Sequence, residues 1–376
     1  MKKLLLTYAS YGSGHKAVAM YIKDYYAKLG YEVKTIDLLS YSIPVLGTFS
    51  RVACEFLMTK LPSAWSFIYF MFDNRLTSAI YKRFSLKLFD NKKLKKEIEE
   101  FKPDLTIATH FYGSSLIAKY KKAGIIKTKL ITIVTDYKAH DMWLKEVNNT
   151  DAIIVSSLDE KRKVLKYGFK SKQIYTSGIP ITPKVDLDQD ITKLIKEFKL
   201  KKGKKNILFF CGGGKGATNN LKYLKAILKL NLNVNVLLIA GKSKRAYKKS
   251  LNIVRKNRSL NTDVKVYGFV NNISEFYMVS DFVITKPGGA QATECLYFKK
   301  PMILIKSNGG QEIENRIFLK RKGYALSSIS IYGFIKNVKT LVTNEKVLNK
   351  MERNISKINQ EKSMEKLYKL SEKLLK

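Results

Sequence analysis

The sequence predicts an α/β protein built from two doubly wound domains, and three observations carry that expectation. Short apolar, β-branched runs at residues 4–10, 105–110, 130–136 and 152–156 alternate with helical segments, and runs at 206–211, 235–240, 264–270 and 282–285 repeat the alternation. Buried-type strands separated by helices are the mark of a doubly wound parallel sheet. Glycine turns follow three of these strands and open helices: Gly12-Ser13-Gly14, Gly212-Gly213-Gly214 and Lys286-Pro287-Gly288-Gly289. A length of 376 residues suits two domains of ordinary size.

Taken in order, Met1-Lys2-Lys3-Leu4-Leu5-Leu6 has the look of a signal peptide, but Thr7, Tyr8 and Ser10 end the apolar run early. It reads as the first buried strand. Gly12 and Gly14 then turn the chain into a helix that Gly30 ends. His15 stands at that helix's start, where the dipole favours a neutral imidazole. From spacing alone it is either a general base or a helix cap. Residues 32–40 form a second strand.

Residues 43–74 change character. The segment is crowded with large apolar side chains, including Trp65, Phe67, Tyr69 and Phe70, and broken by Pro44, Gly47 and Pro62. It reads either as core helices or a dimer face, or as a headgroup-level surface with Arg51, Lys60 and Arg75 meeting anionic lipid. A lysine-rich helix is expected over 82–102. The loop 135–143, with His140 and Trp143, joins two strands. Gly178 to Pro183 closes the first half, and a polar stretch with a short helix leads into the second. The expected division is 1–182, a linker at 183–205, a second domain at 206–345, and C-terminal helices at 346–376 packing back toward the first domain. The turn at 212–216 is not a P-loop, since Lys215 is followed by Gly216.

Residues 282–316 carry the sharpest signal. Gly288 and Gly289 leave backbone N–H groups open at a helix N-terminus, a setting that favours phosphate. Glu294, expected in the helix's first turn, only accepts hydrogen bonds when ionised and suits a ribose cis-diol. After the next strand come Gln311, Glu312 and Asn315, whose amide and carboxylate groups suit sugar hydroxyls. Either half alone reads as an ordinary βαβ unit; both in this order point to nucleotide-sugar binding.

Lys286-Pro287-Gly288-Gly289, Glu294 six residues after the first of those glycines, and Gly310-Gln311-Glu312-Ile313-Glu314-Asn315 together resemble glycosyltransferase family 28. The resemblance is to the monogalactosyldiacylglycerol synthases and bacterial processive diacylglycerol glucosyltransferases. It extends to Gly14-His15 and to a T-D-…-H-x-x-W loop ending in His140 and Trp143. Gln291 stands where many members carry Thr, and Asp141 where Pro is usual, which implies a less rigid loop. The resemblance implies a GT-B fold, two Rossmann-like domains facing across a cleft. It also implies an inverting transfer of hexose from UDP-glucose or UDP-galactose to 1,2-diacylglycerol, with no other cofactor.

On that resemblance His15 is catalytic. The diphosphate is held by Gly12, Gly14, Gly213, Gly288, Gly289, Ala290 and Gln291, the ribose by Glu294, and uracil by Phe269 and Val270. Gln311, Glu312 and Asn315 take the sugar. Trp65, Phe67, Tyr69, Phe70, His140 and Trp143 meet lipid or membrane. No metal is expected, helix N-terminal N–H groups stabilising the departing diphosphate.

Seventy Lys and Arg against 31 Asp and Glu give a net charge of +39, which points to a polyanionic partner or in part to a compositional bias toward lysine. An anionic membrane surface is the expected partner. A nucleic-acid-binding protein is the contrasting reading, but no reader motif appears and the aromatics cluster with aliphatics instead of interleaving with Lys and Arg. A lipid II-forming N-acetylglucosaminyltransferase is the near alternative, disfavoured by the aromatic 43–74 segment. Three widely spaced cysteines, Cys54, Cys211 and Cys295, read as reduced core residues of a protein on the cytoplasmic face of the membrane.

Overall fold

The computed structural model describes residues 1–376 except 42–51, 54–55, 58–59, 184–188, 213, 258 and 307–308. Cys54 and part of the aromatic segment therefore lie outside the described residues.

Twelve parallel strands among the described residues form two sheets of six. The first holds β1 (Lys3–Tyr8), β2 (Glu32–Asp37), β3 (Leu105–Ala108), β4 (Lys129–Ile133), β5 (Ala152–Ile154) and β6 (Ile174–Tyr175), in the order 2-1-3-4-5-6. The second holds β7 (Lys205–Phe210), β8 (Val234–Ile239), β9 (Thr262–Tyr267), β10 (Phe282–Thr285), β11 (Met302–Leu304) and β12 (Ala325–Ser327), in the order 12-11-10-7-8-9. Strands covered on both faces need continuous apolar runs, as in Leu4, Leu5 and Leu6, all buried. β6 and β12, two and three residues long, escape sequence reading.

Strand order reverses between β1 and β3 in one sheet and between β7 and β10 in the other. Ligands bind at such switch points, outside the strands' carboxyl ends. The glycine turns after β1, β7 and β10 all sit there.

The helix expected over 82–102 is two helices, Arg75–Ser85 and Lys92–Phe101, joined by a 3-10 turn at Leu86–Leu88. Asn91 stops the run by accepting from Leu94 N at 2.9 Å as the second helix's cap. The C-terminal helix Ser363–Leu375 lies on the helix Ser13–Lys28 of the first half. There Tyr26 and Ser371 hydroxyls meet at 2.6 Å and Lys2 pairs with Glu372 at 2.5 Å. One apolar cluster runs from Leu4 and Ile22 through Val283 and Leu304 to Leu367, so the halves share a core. Among the described residues no helix is long and apolar enough to cross a membrane.

Candidate active site

His15 lies in the first turn of the helix Ser13–Lys28, whose cap, Gly12, is exposed and extended. Its Nδ1 is 2.9 Å from the Thr109 carbonyl oxygen, just beyond β3, and 2.7 Å from Thr135 Oγ1, just beyond β4. A carbonyl only accepts, so Nδ1 carries the proton. The neutral ring then has its lone pair on Nε2. Burial lowers the imidazole pKa, opposed by the Asp136 carboxylate and the Thr109 hydrogen bond. Asp136 is itself pushed up by burial, against His15, the Asn315 amide and His140. The pair is thus a neutral base beside a carboxylate positioned to stabilise its protonated form.

Both groups line a cavity of about 290 Å³ whose other walls are mainly aromatic and aliphatic: Trp65, Ile68, Tyr69, Phe72, Phe111, Met142 and Trp143. His110, which sequence reading missed, lines it too and packs edge-on to His15 with ring centroids 4.7 Å apart. Its Nδ1 accepts from Tyr112 N at 3.2 Å as a helix cap, leaving the proton on Nε2. The only sequence signal was a histidine directly after a buried strand.

The aromatic segment has two faces. On the helix Pro62–Met71, Trp65, Ile68 and Tyr69 recur at helical spacing and turn into the cavity, whereas Phe67, 71% exposed, and Phe70 with Met71 turn outward. Of the two expectations for Trp65 and Tyr69, lipid or membrane surface, the second is corrected: they wall the cavity. His140 and Trp143, expected to meet lipid or membrane, are likewise buried in that wall. His140 Nε2 donates to Tyr69 O at 2.9 Å and its Nδ1 accepts from Met142 N at 3.2 Å, so the ring clamps the aromatic helix to the loop. Asp141 does not loosen that loop, because Lys163 binds Asp141 at 3.1 Å and Ala139 O at 2.7 Å. Arg75, expected near headgroups, is taken up by Tyr167, 4.6 Å from its ring centroid, and by the Lys166 carbonyl.

The second-half turn meets the first directly. A Cβ on Gly289 would collide with the Thr135 carbonyl, and one on Gly14 would touch Ala290 Cβ at 3.8 Å. Two helix N-termini, at Ser13 and Gly289, thus converge beside His15, and the backbone of Gly12, Gly14 and Gly288 to Gln291 lies at that junction. Gly212 has φ +89°, and a Cβ there would lie 3.7 Å from the Lys286 side chain, while Gly213 lies outside the described residues. The Gln291 amide is turned onto Tyr277, so only its backbone serves the junction.

Glu294 sits in the second turn of the helix Gly289–Tyr297, one turn later than expected, because Gly289 already begins the helix. Its carboxylate accepts from Tyr21 Oη at 2.9 Å and Tyr277 Oη at 3.0 Å. Burial raises its pKa while the two phenols lower it. Burial and the carboxylate hold Tyr21 protonated, fixing it as the donor. Neither tyrosine was legible as part of the site.

Gln311 lines the cavity, and Glu312 follows it in the first turn of the helix Gln311–Arg321. Asn315 corrects expectation. It is fully buried, its Oδ1 accepts from Tyr137 N at 2.7 Å, and its Nδ2 donates to Asp136 Oδ1 at 2.9 Å and Pro287 O at 3.0 Å. With its carbonyl and both amide hydrogens engaged, it ties the halves together and is not presented to a sugar. Phe269 is exposed beneath Lys242, 5.0 Å from the ring centroid, while Val270 packs partly on the core.

Two D-x-D triplets, a pattern that can hold a metal-bridged diphosphate, occur at 186–188 and 188–190, so the expectation of no metal has no support from a lack of that motif. Residues 184–188 lie outside the described residues, and Asp190 caps a helix by accepting from Thr192 N at 2.7 Å.

Residues 15–181 match the family model for monogalactosyldiacylglycerol (MGDG) synthase, and residues 207–368 match the glycosyltransferase family 28 C-terminal domain. The processive diacylglycerol beta-glucosyltransferase of Bacillus pumilus is 31% identical over 362 residues, covering 95% of this chain and 91% of the relative. The Bacillus subtilis enzyme of the same name is 28% identical over 368 residues, covering 97% and 93%. Among solved structures, Acinetobacter baumannii MurG aligns with a TM-score of 0.64 at 14% identity, covering 99% of this chain and all of that one. At that identity the likeness shows the fold alone, which is GT-B.

Proposed function

Because this chain belongs to the diacylglycerol glycosyltransferases of family 28, we propose that it is an inverting glucosyltransferase that moves a hexose from a UDP-sugar to 1,2-diacylglycerol. The family assignment carries the activity: the chain is a UDP-sugar-dependent hexosyltransferase whose product is a glycosyldiacylglycerol. The single observation that carries the mechanism is the fixed tautomer of His15 at the head of an apolar cavity, where the glycine turns of both halves meet.

The glycerol hydroxyl enters from the cavity, which suits acyl chains and not a second nucleotide. Its oxygen attacks the anomeric carbon as its proton passes to His15 Nε2. The bond from that carbon to the diphosphate oxygen breaks, and UDP leaves toward the N–H groups at Gly288 to Gln291. Direct displacement inverts the anomeric centre. Asp136 stabilises the imidazolium that forms, a positioning role, since it acts through His15. Glu294 would take the ribose hydroxyls by exchanging Tyr21, and the Phe269-Val270 turn would lie against uracil. Glucose as the sugar rests on the relatives' beta-glucosyltransferase activity.

The protein would work from the cytoplasmic face of an anionic membrane. The exposed Phe67, Phe70 and Met71, with Leu76 and Ile80 on the next helix, and the charge of +39 support that placement. Purified protein incubated with diacylglycerol liposomes and a panel of UDP-sugars, with glycolipids identified by mass spectrometry, tests the proposal. A β-linked glucosyldiacylglycerol is expected from UDP-glucose, and no glycolipid from any donor would refute it.

A further inference from the structure

Two buried polar atoms of the cavity, Trp65 Nε1 and Gln311 Oε1, have no hydrogen-bond partner among the described residues. They come from opposite halves, Trp65 from the helix Pro62–Met71 and Gln311 from the first turn of the helix Gln311–Arg321. Their approach is built by glycine. Gly309 and Gly310 have φ of +91° and +55°, and a Cβ on Gly310 would lie 2.6 Å from Trp65 Nε1 and 3.2 Å from Tyr69 Cγ. Gly310 N donates to Ser66 Oγ at 3.1 Å, fastening the aromatic helix over the loop.

A buried donor and a buried acceptor left unsatisfied on the wall of one cavity are costly unless water or a ligand meets them. An indole N–H only donates and an amide carbonyl only accepts. A single ligand group that meets both must accept and donate at once. A hydroxyl does so; acyl chains, ester oxygens and an ionised diphosphate do not.

We propose that Trp65 Nε1–H and Gln311 Oε1 form a subsite for one hydroxyl of a hexose, the first donating to its oxygen and the second accepting its proton. This makes Trp65, on the aromatic helix, a sugar-specificity residue in addition to a wall of the lipid cavity. The inference rests on the transferase reading above. The hexose is either that of the donor or the sugar already on a monoglycosylated lipid acceptor, since both would meet at this junction beside His15.

Trp65→Phe keeps the ring and removes the N–H. Calorimetry with UDP and UDP-glucose, and initial rates onto diacylglycerol and onto glucosyldiacylglycerol in mixed micelles, separate the sources. If the hydroxyl is the donor's, the variant keeps UDP affinity and loses about 3–10-fold in UDP-glucose affinity, the worth of one hydrogen bond. If it is the acceptor's, UDP-glucose binding is unchanged and only KM for glucosyldiacylglycerol rises, by a similar factor. Wild-type values in all these measurements would overturn the proposal. Should the variant fail to fold, UDP-deoxyglucose donors and deoxyglucosyl acceptors tested on the wild type replace it. One deoxy position should then stand out, and an equal response at every position overturns the subsite. A wild-type protein that binds UDP-glucose but forms no glycolipid refutes the transferase reading while leaving the donor-sugar arm of the subsite measurable by calorimetry.

Discussion

At His15 the Thr109 carbonyl holds the proton on Nδ1 and leaves the lone pair on Nε2, the atom proposed as the base. His15→Asn should lower kcat by about 10²–10⁴ while UDP affinity stays near wild type, since the proposed ribose and uracil contacts, Glu294 and Phe269-Val270, lie on the second half. Steady-state rates with parallel UDP calorimetry check this; equal losses in both would make His15 a donor contact. The pH profile follows from the lowered pKa. A base works when neutral, so the acid limb of kcat/KM should fall below the ordinary imidazole value of 6.5. Asp136 favours the cation, so Asp136→Asn should move that limb to still lower pH and also reduce kcat, as the imidazolium loses its counter-charge. A limb that moves upward would contradict the pairing. Glu294 yields a second, paired prediction. Glu294→Ala should weaken UDP binding by about 1.5–3 kcal/mol, the range for a hydrogen bond to a charged group. Tyr21→Phe, which frees one carboxylate oxygen from a competing donor, should tighten it by about 3–10-fold. Isothermal calorimetry reads both, and weaker UDP binding in Tyr21→Phe would mean that the phenol is a ligand contact instead of a competitor.

Among the elements, the helix Gln311–Arg321 depends on contacts that no local pattern reveals. Asn315 lies one turn past its start and bridges Asp136, Tyr137 and Pro287. Asn315→Ala would leave the Tyr137 N–H and one Asp136 oxygen without their partner in a buried setting. A loss of about 2–4 kcal/mol in stability by urea unfolding is expected. A loss under about 0.5 kcal/mol, typical of a surface position, would show the bridge to be unimportant. The contrast with Gly288-Gly289 explains what was legible. A glycine turn between an apolar run and a helix is a local signal, so the longer strands and the turns could be read from neighbouring residues, while His15 stood out only as a histidine at a helix start. Asn315, Tyr21 and Tyr277 act across the junction of the halves, and a polar residue at a helix start gives no sign whether it faces a ligand or another loop. The aromatic helix Pro62–Met71 was ambiguous for the same reason. Large apolar side chains point in several directions around it, so periodicity alone does not say that Trp65 and Tyr69 turn inward while Phe67 turns out.

For the whole molecule, two independent features support the proposed docking to a membrane, and they respond to different perturbations. The net charge of +39 acts at long range and is screened by salt, with each Lys or Arg near an anionic surface contributing about 1 kcal/mol. Apolar insertion by Phe67, Phe70 and Leu76, all exposed, acts only in contact and is insensitive to salt. Binding to phosphatidylglycerol vesicles should therefore exceed binding to phosphatidylcholine vesicles at low ionic strength, and the difference should shrink as salt is added. A residue of binding should persist at high salt on both. Phe67→Ser with Phe70→Ser should remove that residue and leave the low-salt preference for phosphatidylglycerol in place, because no charge has changed. Vesicle co-sedimentation across a salt series measures all of these together. If the double variant bound both vesicle types as the wild type does at high salt, the outward face of the aromatic helix would have no part in docking. If the wild type bound both vesicle types equally at low salt, the charge would have none.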